Sequence, residues 1–105
     1  MYTRLYLNRT KKKYRETLEM ALAETLFLTQ RTPSMTMYKV IYDQLVDIKE
    51  NIILKNVVFT EDEIFGRYNL GAIAVKNFEV EEDEYAQKLS DVFGGSIDYY
   101  QMPEE

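Results

Sequence analysis

The chain contains no histidine, no cysteine and no tryptophan, and only two prolines and four glycines in 105 residues. Without cysteine there is no disulfide framework, no zinc–thiolate site and no thiol nucleophile. Without histidine the commonest metal ligand is missing, and so is the side chain that titrates most readily near neutral pH. No uncharged run approaches the roughly 20 residues that cross a bilayer. Arg4, Asn8 and Arg9 interrupt the N-terminal stretch where a signal peptide would carry its apolar segment. A cytoplasmic protein without membrane, metal or cofactor is the expectation.

What remains is an ordinary globular balance: 46% apolar and 30% charged residues, with a formal net charge of −5. That length and apolar share suit one domain with one continuous core, and they exclude intrinsic disorder. The charge is unevenly spread. Residues 1–15 hold six bases and no acid, residues 16–59 four bases and six acids, and residues 60–105 three bases against twelve acids. An acidic half repels nucleic acid and anionic membranes and attracts a basic protein partner.

Four helical segments are expected. The first runs from Thr10 to Gln30, with Tyr14, Leu18, Ala21, Leu22, Thr25 and Leu28 at helical spacing and Thr10 as N-cap. Lys11–Lys13 would then oppose the helix dipole, so a start nearer Thr3 is the alternative. Pro33 breaks the chain before a second, strongly amphipathic helix carrying Tyr38, Ile41, Tyr42, Leu45, Ile48 and Ile52 on one face. The β-rich pieces Ile52–Leu54 and Val57–Phe59 offer a short strand as a competing reading. Thr60–Glu61–Asp62–Glu63 spells a capping box, opening a third helix that should run to about Phe78. Gly71 in its middle costs about 1 kcal/mol against alanine, which points to close approach of another helix. A fourth helix follows from about Asp83, with Tyr85, Ala86, Leu89, Val92, Phe93, Ile97 and Tyr100 as its stripe; Gly94–Gly95 would kink it or end it early. Short connections make neighbours antiparallel. The expected architecture is all-α: a small antiparallel bundle of about four helices over residues 14–105, behind a basic N-terminal extension, residues 1–13.

Chemistry is hard to assemble from these residues. No motif pairs a nucleophile with a base. The carboxylates gather at helix starts, where capping explains them better than acid–base catalysis. Glu79–Glu84 lacks the ligand spacing and central glycine of a calcium loop, and Gly94–Gly95 lacks the lysine of a phosphate loop. A non-enzyme is expected. Nine tyrosines suit binding instead, since tyrosine joins a large apolar area to a polar tip. Tyr14, Tyr38, Tyr42, Tyr68 and Tyr85 fall on inner faces; Tyr99 and Tyr100, like Tyr2 and Tyr6 beside Arg4, are harder to place in a core. The expected partner contacts are the acidic turn (Glu79, Glu81, Glu82, Asp83, Glu84) together with Tyr99 and Tyr100.

Leu70–Gly71–Ala72–Ile73–Ala74–Val75–Lys76–Asn77–Phe78–Glu79, the acidic turn, then Glu84 through Leu89 and Asp91, is similar to the immunity proteins that guard against a type VI secretion NAD(P)+-glycohydrolase effector. Pro33 and the helix of Tyr38–Ile52 also fall where that family has its proline and second helix. The resemblance spans residues 14–101; the basic residues 1–13 lie outside the family pattern, and the stretch after Phe93 diverges from it. It implies a small helical antitoxin that binds the catalytic domain of a cognate secreted toxin, one that destroys NAD(P)+, and blocks the active site by occlusion. From the residues alone, a helical adaptor or self-assembling protein without a toxin partner stays open as the alternative.

Overall fold

A computed structural model describes all 105 residues. The chain is all-α, with five α-helices and no strand: α1 (Lys11–Arg31), α2 (Thr36–Ile48), α3 (Glu61–Arg67), α4 (Leu70–Asn77) and α5 (Glu84–Ser96). The main packed pairs are α1 with α2, α1 with α5, and α4 with α5. Their contacts run in opposite senses along the chain. Glu19 on α1 meets Lys49 beyond the end of α2. Thr25 meets Tyr85 early in α5, while Tyr14 meets Val92 late in it. Leu18, Ala21, Ile41, Leu45, Ile48, Ile64, Leu70, Ala74, Leu89 and Val92 form the dry centre.

The first helix starts at Lys11, with the Thr10 side chain accepting from the Lys13 amide. The conflict between its basic first turn and the helix dipole is resolved from far away. The carbonyls of Pro103 and Glu104 accept the Lys11 and Lys12 amides, and Glu104 pairs with Arg15. Distant residues thus supply both the missing acceptors and the missing negative charge at that terminus.

Residues 2–5, expected as part of a basic extension, are fastened to α5 through Asp91 and Glu84. Leu5 is 1% exposed. Asp91 receives the Tyr2 hydroxyl at 2.6 Å, the Leu5 amide at 3.0 Å and the Arg4 guanidinium at 2.9 Å. Gly95 makes room for this arrangement, since a Cβ there would stand 2.6 Å from the Tyr14 ring and 3.0 Å from Leu5. The helix passes through Gly94–Gly95 and ends at Ser96, short of Ile97 and Tyr100, which the sequence placed on its stripe.

The expected third helix, Thr60 to Phe78, is two helices. Its capping box is present, with Thr60 accepting from the Glu63 amide and Glu63 reaching back to the Thr60 amide. At Tyr68 and Asn69 the backbone becomes extended and then irregular. The break is held by α2: Gln44 accepts the Asn69 amide at 2.9 Å and donates to the Asn69 side chain, while Asp47 accepts the Tyr68 hydroxyl at 2.6 Å. Gly71, just after it, sits against Phe93 of α5, where a Cβ would lie 3.2 Å from the ring. The close approach expected at that glycine is there.

The second helix continues past Ile48 as a π-helical turn, Lys49–Leu54, closed by Asn56 in the left-handed region at φ 55°. The short strand considered for Ile52–Leu54 and Val57–Phe59 does not form; the first piece is in the π turn and the second has no regular secondary structure.

Candidate functional site

The acidic segment between α4 and α5 is a tight turn. The Glu82 amide donates to the Glu79 carbonyl at 2.9 Å, and the Gln87 side chain donates to the Glu81 carbonyl. Asp83 is the N-cap of α5, one carboxylate oxygen accepting the Tyr85 and Ala86 amides at 2.9 and 3.2 Å. Glu84 accepts the Tyr2 amide. Glu79, Glu81, Glu82 and Glu84 are exposed and Asp83 is half-buried. None of the five enters an ion pair, although eight pairs bind other acids of the chain. Their field therefore reaches solvent uncancelled.

Tyr99 and Tyr100 are not beside this turn. They follow α5 at its other end, about 20 Å away at the rise of a 13-residue helix. Tyr99, expected on the surface, is 7% exposed: its ring packs 5.1 Å from that of Tyr14, its hydroxyl accepts from Arg15, and Lys11 lies over its face. Tyr100 is 50% exposed. The structure thus brings together the five acids and separates them from the two tyrosines.

Next to the acidic turn lies a feature the sequence did not reveal. An open depression of about 510 Å³ is walled by Phe27 from α1, Tyr38 from α2, Phe78 at the end of α4 and Tyr85 from α5, with Glu24 and Asp83 as its carboxylates. Phe78 and Tyr38 meet the Tyr85 ring edge-on, with centroids 5.7 and 6.5 Å away. The Tyr85 hydroxyl shares a 2.7 Å hydrogen bond with Thr25. Burial pushes the Tyr85 phenol up to about 12, so it stays neutral at physiological pH. Glu24 is tied to Lys88 of α5. Phe27 projects at 60% exposure. The one signal for it in the sequence is the run Leu26–Phe27–Leu28, wider than a single helical stripe.

No cluster of acids able to hold a metal ion is formed, and no helix is long and apolar enough to cross a membrane. What this surface offers chemically is a negative turn beside rigid aromatic walls, suited to recognising a basic protein surface.

No curated protein and no solved structure matches the chain. The family model described as Tsi6 matches residues 13–97, which includes all five helices apart from the first basic residues and reaches past the acidic turn to the end of α5. The chain belongs to the Tsi6 family of type VI secretion immunity proteins.

Proposed function

We propose that this protein neutralises a cognate type VI effector by binding its catalytic domain one-to-one and covering the active site. The observation that carries the reading is the α4–α5 turn: five carboxylates within six residues and none in an ion pair, whereas eight of the chain's other thirteen acids are paired. In the monomer Asp83 and Glu84 serve the start of α5, but Glu79, Glu81 and Glu82 have no side-chain partner; against a basic toxin surface the turn steers association and fixes orientation. Tyr100 adds a second contact region, held in place by its buried neighbour Tyr99.

In this reading the effector hydrolyses NAD(P)+, the inhibitor works in the cytoplasm, and it needs neither catalysis nor nucleic acid nor cofactor. Residues 14–105 act as the toxin-binding domain, and the basic residues 1–13 brace it. The test is NAD+ consumption by the toxin domain encoded beside this gene, with and without one equivalent of the full chain. Stoichiometric loss of activity is expected. A toxin that binds the chain but never consumed NAD+ would remove the substrate assignment and leave the antitoxin role. Absence of binding would remove the antitoxin role itself and return the chain to the adaptor class.

A further inference from the structure

We propose that the depression formed by Phe27, Tyr38, Phe78 and Tyr85 is a receptor for one arginine side chain of the protein partner. The assignment deepens the toxin-binding reading and rests on it for the partner's identity. Apart from the projecting Phe27, its walls are set before any partner arrives. Tyr85 is fixed by its bond to Thr25 and by two edge-on rings, and Asp83 is fixed by capping α5. Walls already in place lose little side-chain entropy on binding.

The aromatic rings alone would suit any apolar group, and the carboxylates narrow the choice. Asp83 spends one oxygen on the α5 cap, and its other oxygen has no hydrogen-bond partner. Glu24 is shared with Lys88, so Asp83 is the uncancelled charge of the site, backed by the four glutamates of its turn. An apolar occupant would strip water from that carboxylate and return nothing. A cation restores the lost interaction. Between the two basic side chains, lysine presents a compact, strongly hydrated charge, whereas the flat guanidinium stacks on ring faces while directing its N–H groups at a carboxylate. The arginine stem would lie along Phe27 and Phe78, and its head against Tyr85 and Asp83.

The chain's own arginines are a rival source. Arg4, Arg9, Arg15 and Arg67 are each engaged by an aspartate or glutamate, which leaves Arg31, on the same helix as Phe27, without an ion pair. A second copy could therefore offer Arg31, and the experiment separates this case.

N-acetyl-arginine-N-methylamide is titrated into the full chain while the ring resonances of Phe27, Tyr38, Phe78 and Tyr85 are followed by NMR, with the lysine and norleucine analogues as controls. The four rings are expected to shift together and saturate, with the arginine analogue about fivefold tighter than either control. Phe27→Ala and Asp83→Asn should each weaken that binding while helicity is retained, since Phe27 is mostly exposed and asparagine also caps helices. Equal binding of norleucine, or shifts elsewhere on the chain, would overturn the proposal. In a second arm, both variants should weaken affinity for the neighbouring gene's toxin domain by about tenfold. Unchanged toxin affinity beside intact arginine binding would overturn the assignment to the partner. A toxin that fails to bind even the wild type counts against the antitoxin reading instead, and the titration still decides the pocket's chemistry. A concentration-dependent dimer abolished by Arg31→Ala would assign the pocket to the chain's own arginine and overturn its foreign one.

Discussion

Asp91 is a buried carboxylate holding three donors from the N-terminal segment, and its charge state follows from that geometry. Burial pushes its carboxyl up, but the hydrogen bonds from Arg4, Tyr2 and the Leu5 amide outweigh it and hold the group below the usual carboxylate range. A depressed acid contributes stability that is complete above its unfolded-state value, near pH 4, and is lost as pH falls through the lower folded value. Asp91→Asn should therefore flatten the acid limb of a urea-midpoint profile taken between about pH 2 and 6. It should also cost about 2–3 kcal/mol at pH 7 by leaving Arg4 short of its partner. The two close-packed glycines should behave differently. Alanine gains about 1 kcal/mol of helix propensity at either site. At Gly71 the Phe93 ring has only to give slightly, so Gly71→Ala should be nearly neutral, whereas Gly71→Leu should lose about 1–3 kcal/mol through overpacking. At Gly95 the obstruction is the fully buried Tyr14 ring, whose hydroxyl is bonded to the Val92 carbonyl, so Gly95→Ala should lose stability outright. Thermal melts of the three variants give that order or refute it.

Among the elements, α3 and α4 show how far local pattern reaches. The Thr60 capping box was legible because all its atoms lie within four residues, and Thr60→Ala should cost about 1 kcal/mol in chemical denaturation. The end of the same helix was not legible. Gly66 and Asn69 weaken a helix there but do not fix where it stops; Gln44 and Asp47, over 20 residues away, satisfy the groups that the break exposes. Gln44→Ala should therefore loosen Tyr68–Asn69 and raise amide exchange there ahead of global unfolding. The same distinction divides the candidate site. The acidic turn could be read directly, since its residues are consecutive. Tyr99 could not, because the ring and guanidinium that cover it belong to Tyr14 and Arg15 at the opposite end of the sequence. The aromatic depression draws on four elements, and no spacing rule connects residues 27, 38, 78 and 85.

For the molecule as a whole, the acidic half sets how a partner would arrive. Association with a basic toxin domain should slow as salt is raised, because exposed charges more than about 10 Å apart are screened at 0.1 M ionic strength. Reversing Glu79, Glu81 and Glu82 to lysine should lower the association rate at low salt far more than it raises the dissociation rate. Equal effects on both rates would place the turn at close contact, and no effect on either would remove it from the encounter. The bracing of α1 has a further consequence, and it concerns time. Small helical proteins usually fold quickly because most of their contacts are local. Here the start of α1 is closed by Pro103 and Glu104, and Asp91 gathers Tyr2, Arg4 and Leu5 across more than 80 residues. The helices themselves can form early, but the bundle is sealed only when two distant parts of the chain meet, so it should close after residue 104 has left the ribosome and refold more slowly than its helix content suggests.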